Sequence, residues 1–78
     1  MFLVTNDNVM GNNIRFLRQQ NNIGLDEFAK RLGISASDLE AIETGVNRQI
    51  EDWVLNQIFE IFSTDVQTLV EKNLQKIL

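Results

Sequence analysis

The chain has 78 residues, 44% of them hydrophobic, with no Cys, His, Tyr or Pro and a net charge of −4. Its length fits one small domain spanning residues 1–78, and its apolar fraction argues against a disordered chain. The missing residue types remove disulfide, thiolate and imidazole chemistry and the usual transition-metal ligands, and no apolar run approaches the roughly 20 residues of a membrane span. The start, MFLVTNDN, lacks the basic region of a secretory signal. Residues 1–50 carry five bases against six acids, and the remainder two against five. Neither part offers the broad basic field of a strong nucleic-acid binder.

Periodicity predicts five helices and no strand-like core. Phe2, Leu3 and Val4 form an apolar group that can fold back on the core or extend onto a second subunit. Asn6, Asp7 and Asn8 offer N-caps for a helix of about residues 9–20, whose apolar set Met10, Ile14 and Leu17 is spaced by four and three. Asn21 and Asn22 can end it, because Asn tolerates left-handed backbone. A second helix, about 25–32, has Phe28, Ala29 and Leu32 on its inner face. Gly33 supplies a turn at positive φ, and Ile34 fills the core behind it. Ser35 caps a third helix of about 36–44, with Asp38 three residues on as an approximate capping box. Leu39 and Ile42 face inward, Ala36 lies on a neighbouring row, and Gly45 stops the helix.

Residues 46–49 read as a loop. A fourth helix, about 51–62, carries Ile50, Trp53, Val54, Ile58, Ile61 and Phe62 as one apolar stripe widened by Leu55 and Phe59. Such a helix is expected to be central. Ser63 or Thr64 caps a fifth, about 64–77, with Thr64 and Gln67 fitting a capping box. Val66, Leu69, Val70, Leu74, Ile77 and Leu78 recur at helical spacing.

No enzyme is expected. Asp26–Glu27 and Glu51–Asp52 are adjacent pairs that diverge on a helix, and Ser and Thr have no imidazole base to activate them. No phosphate loop or dinucleotide fingerprint is present. No cofactor, metal or membrane partner is expected, and 78 residues leave no room for a small-molecule effector domain. Ala29 is small where a third helix would cross the second closely. Arg18 and Glu43 can pair between the first and third helices, since both sit beside apolar core positions. The alternative is two unrelated surface charges, worth about 0–1 kcal/mol even when paired.

The segments IRFLR, FAKRLGIS and LEAIETG, with IFEIFSTDVQTLV after them, resemble the phage repressor/Cro type of helix-turn-helix domain, the xenobiotic-response-element family of bacterial regulators. The resemblance covers about residues 14–70. It implies an all-α, five-helix, lambda-repressor-like DNA-binding domain with the helix-turn-helix formed by helices 2 and 3. A cytoplasmic bacterial or phage transcriptional regulator is implied with it, and the family also pairs an Arg and a Glu at the positions of Arg18 and Glu43.

Carried over residue by residue, the resemblance places Ala36, Ser37, Asp38, Glu40 and Ala41 of the recognition helix at base edges. It places Arg15, Leu25, Lys30, Asn47 and Arg48 near phosphates, with Arg31 beside Lys30 on helix 2, which crosses the backbone, and the start of helix 2 able to offer backbone amides. The chain departs from the family at two of these places. Leu25 stands where a phosphate-clamping Gln is common, and Gly24 where a capping Ser or Thr is usual. Asp38 and Glu40 would face a polyanion, although an acid can accept from cytosine N4 and an Ala can touch a thymine methyl. The plain structural readings stand beside these: Lys30 and Arg31 as solvated helix charges, Asp38 as a cap partner, Ser37 as an exposed polar residue.

The family often dimerises through the segment after helix 4, which makes Leu69, Val70, Leu74, Ile77 and Leu78 the dimer-surface candidates. An amphipathic helix closing the monomer core is the alternative. Two functions follow. One is a homodimeric regulator on double-stranded DNA, binding more weakly than is typical of the fold. The other is a DNA-binding-deficient interaction module with a protein partner, such as an anti-repressor, antitoxin-like protein or adaptor.

Overall fold

The computed structural model describes residues 2–3, 9–47 and 49–71, so Asn6, Asp7, Asn8 and Arg48 lie outside the described residues. Helix α1 (Val9–Gln20) buries Met10 and Ile14 completely. It ends where Asn22 turns left-handed at φ 57°, while the Asn21 side chain donates to the Leu17 carbonyl at 2.7 Å. The short polar side chain of Asn makes that conformation accessible without glycine.

Helices α2 (Leu25–Leu32) and α3 (Ala36–Thr44) are joined by a tight turn. Gly33 sits at φ 81°, and its N–H donates to the carbonyls of Ala29 and Lys30 at 2.9 and 3.1 Å. The Ile34 N–H reaches back to Ala29 at 3.0 Å, so the turn consumes the orphan carbonyls of α2. Ser35 accepts the Asp38 N–H on its Oγ at 3.0 Å, which is one half of a capping box. Gly45, at φ 87°, ends α3.

Helix α4 runs Asp52–Phe62, with Glu51 as an extended N-cap that makes no side-chain capping bond. Ser63, left-handed at φ 50°, closes α4 rather than opening the next helix. Helix α5 (Val66–Glu71) starts instead after Asp65, whose Oδ1 accepts the Thr68 N–H at 2.8 Å. Asp65 therefore takes the capping position expected of Ser63 or Thr64; a carboxylate is the stronger acceptor at a helix N-terminus. Two short strands, β1 (Phe2–Leu3) and β2 (Gln49–Ile50), pair antiparallel in the register Phe2↔Ile50 and Leu3↔Gln49. Phe2 and Leu3 thus fold back on their own chain, with Val4 outside the described residues, and Gln49 belongs to a ladder rather than to a loop. The architecture is otherwise helical.

The core gathers around Phe28, Leu32, Leu39 and Ile58, all fully buried. Phe28 meets Phe62 with ring centroids 5.3 Å apart and planes tilted by 37°. Ala29, 2% exposed, lies on the inner side of α2. Two expectations need correction. Trp53 is 46% exposed instead of lying in the α4 stripe, because it occupies the first turn of α4 and its indole N–H donates to the exposed Glu51 carboxylate at 2.7 Å. Leu69, expected on an exposed patch, is fully buried, and α5 packs on α1, so its side chain closes the core as the alternative reading of this helix has it. The side chain of Val70, with Leu74, Ile77 and Leu78, lies outside the described residues. No described helix is long and apolar enough to cross a membrane.

A buried amide locks α5 in place. Asn13, fully buried in α1, donates from Nδ2 to the Leu69 carbonyl at 2.8 Å. Replacing Asn13 by Ala removes that donor inside the protein and costs about 1–3 kcal/mol. Urea denaturation measures the loss. Native-state hydrogen exchange should show α5 amides opening first, and uniform acceleration across all five helices would contradict this local role.

Candidate nucleic-acid interface

Burial divides α3 cleanly. Leu39, Ile42 and Glu43 are buried, whereas Ser37, Asp38 and Glu40 are exposed. Ala36 and Ala41 are half-buried, and Ala36 packs against the core. An outward face results on which Ser37, Glu40, Ala41, Thr44 and the 84% exposed Val46 line one shallow depression. Among the five base-edge candidates, then, three polar groups are fully presented and two methyl groups partly so.

The Arg18–Glu43 pair fixes α3 against α1. The Arg18 guanidinium donates from Nε to Glu43 Oε2 at 2.8 Å and from Nη2 to Oε1 at 3.0 Å. Its Nη1 also donates to the Ile23 carbonyl at 2.9 Å, tying down the entry to α2. The side chains are 11% and 4% exposed, so water screens this fork little.

The phosphate candidates are spread unevenly. Arg15 is exposed on α1 and shares a cleft of about 250 Å³ with Leu25 and Glu40. Leu25 is half-buried against the core, so its side chain packs and offers no hydrogen bond. Gly24 leaves the start of α2 without a side-chain cap, and Asp26 and Glu27 occupy its first turn. Those amides can meet an anion only beside two carboxylates, which weakens the helix-dipole advantage. Lys30 is exposed at the other end of α2. Arg31 is held by Glu27 at 2.7 Å in an i,i+4 pair that is half exposed, an arrangement worth about 0.3–0.5 kcal/mol and easily exchanged. Asn47 is exposed, and its Oδ1 accepts the Gln49 N–H at 3.0 Å, shaping the loop after α3.

The structural roles of three residues, Asn13, Glu51 and Trp53, escaped sequence reasoning. An indole in a helix's first turn, two residues after an acid, is the signal that marks the last two. Asn13 stands three residues after Met10 and four before Leu17, on the buried row of α1, but a count of apolar residues passes over it because it is polar.

Two helices crossed at a glycine turn, the second with a polar outer face and both locked to a flanking helix, define a helix-turn-helix domain of the repressor/Cro type. The chain belongs to the helix-turn-helix domain family whose model matches residues 11–74. Two solved structures share its fold. The N-terminal DNA-binding domain of SinR from Bacillus subtilis is 23% identical, with a TM-score of 0.73 over 83% of this chain and 94% of that one. SinR, described as the master regulator for biofilm formation, in complex with DNA, is 24% identical, with a TM-score of 0.70 over 80% of this chain and 98% of that one. No curated protein matches.

Proposed function

We propose that this protein is a sequence-specific transcriptional regulator that places α3 in the major groove of double-stranded DNA, acting as a homodimer. The observation that carries the reading is the exposed row Ser37, Asp38 and Glu40 on a helix whose opposite side is buried and ion-paired. Such a helix is rigid and outward-facing, as groove entry requires. The likeness to SinR, solved bound to DNA, supports the same role. Asp38 and Glu40 favour cytosine-rich contacts through the N4 donor, while Ala41 and Val46 offer apolar contact to thymine methyls. Affinity is weaker than the fold usually gives, since Leu25 contributes no donor and Arg31 is engaged by Glu27.

Selection of random duplex DNA at about 50 mM and about 200 mM salt tests this. The expected result is an enriched palindrome with half-sites about 34–36 Å apart, lost steeply at the higher salt. Arg15→Glu and Arg48→Glu should each weaken binding about tenfold and shallow the salt slope by about one. No enrichment at either salt, from a folded protein, rejects the reading.

A second reading is favoured by one observation. Two of the four exposed α3 side chains, Asp38 and Glu40, are acids. An interaction module that kept the fold and lost DNA affinity would carry such a face, and it would form a stable complex with a protein partner while retaining no DNA.

A further inference from the structure

Beside the outer end of α3, the junction with α4 encloses a cavity of about 250 Å³. Its floor is apolar, made by the buried Ile42, Ile50 and Val54, and its exposed rim is made by Asp38, Glu51 and Trp53. The indole is held by its own hydrogen bond to Glu51 at 2.7 Å, which fixes ring and carboxylate relative to each other. The Asp38 carboxylate makes no hydrogen bond or ion pair with any described residue; the bond to Ser35 Oγ comes from its backbone N–H. Two acids and no described base line the cavity. The volume falls below the roughly 300–1,000 Å³ of drug-sized sites and suits one long side chain.

We propose that this pocket takes a single arginine side chain presented by a protein partner. Arginine's methylenes match the apolar floor, as long basic side chains commonly bury their stems. Its planar guanidinium stacks on an indole face, and its charge is met by the Asp38 and Glu51 carboxylates. Lysine supplies the charge without the planar stacking surface. A phosphate is repelled by the same two acids. Asp38 and Asn47 belong both to this pocket and to the set facing DNA. On the regulator reading above, a partner seated here excludes DNA from the first turn of α3; the pocket itself does not depend on that reading.

The chain has one tryptophan, so a single indole N–H resonance reports this site. The full chain is titrated with N-acetyl-arginine methylamide, and in parallel with the citrulline analogue, which keeps the shape and loses the charge. A saturable shift of the Trp53 indole signal with the arginine compound, at least tenfold weaker with citrulline and in the Asp38→Asn/Glu51→Gln variant, is the expected result. Amide spectra of the variant confirm that it is folded. Equal response to citrulline, or no saturable shift in the native protein, overturns the proposal. So does a DNA duplex that saturates the indole shift when the arginine compound does not, which would assign the pocket to DNA. Failure of DNA selection leaves this titration intact and removes only the competition between the two.

Discussion

Replacing Arg18 by Ala should destabilise the protein by about 3–5 kcal/mol, far more than removing a surface cation would. The reason is Glu43. At 4% exposure its carboxylate has left water, and the Arg18 fork supplies two charge-assisted hydrogen bonds in return. Removing the guanidinium leaves a buried charge without its counter-ion and takes a donor from the Ile23 carbonyl as well. Natural domains are held together by about 5–15 kcal/mol in total, so this single change should populate unfolded chains at ambient temperature. The double replacement Arg18→Met/Glu43→Leu removes both charges at similar volume and should recover most of the loss. Urea midpoints of the wild type, the single variant and the double variant decide the matter. A loss in Arg18→Ala of only about 1 kcal/mol would mean that the pair behaves as if solvated.

The second large effect is Phe28→Ala, expected to cost about 3–5 kcal/mol. Among the described residues Phe28 is the largest fully buried side chain, packed against the tilted ring of Phe62 and seated on the inner face of α2. Truncation deletes its buried ring and leaves a void that the rigid α2–turn–α3 unit cannot collapse to fill. For a chain of this length each kcal/mol lowers Tm by about 4–8 °C, so thermal unfolding resolves the effect readily. Phe28→Leu, which retains most of the volume, should cost clearly less. If the two variants melt together, ring packing is not what sets the stability of this core.

Those two sites also show what the sequence disclosed. Phe28, Leu32, Leu39 and Ile42 stand at helical spacing on either side of Gly33, and a glycine followed by a capping serine admits few other geometries. Arg18 and Glu43 each neighbour an apolar row, and the structure brings them together at 2.8 Å. What periodicity misjudged was the partner of each apolar face. Leu69 and Trp53 look alike in a hydrophobic pattern, yet one is sealed against α1 and the other stands at a rim with its N–H on an acid. Only the three-dimensional arrangement says which helix covers which face. Backbone pairing of Phe2–Leu3 with Gln49–Ile50 was equally illegible, since two-residue strands leave no alternating pattern to count. In the site, the acidic character of α3 could be read directly. The lost donor at Leu25 was visible too, whereas the cavity beneath Trp53 exists only once α4 is docked.

The bond from Asn13 to the Leu69 carbonyl spans 56 positions of the chain. The other main helix contacts, α2 on α3, α1 on α3 and α2 on α4, close over shorter stretches, and the α2–turn–α3 unit can close within about twenty residues. Local closures of that kind are fast, while a distant one carries the larger loop entropy. During synthesis, α1 must therefore carry an uncovered amide and an apolar flank until residue 69 has emerged. The helix-turn-helix can be assembled by then, but the first helix made is among the last to be finished.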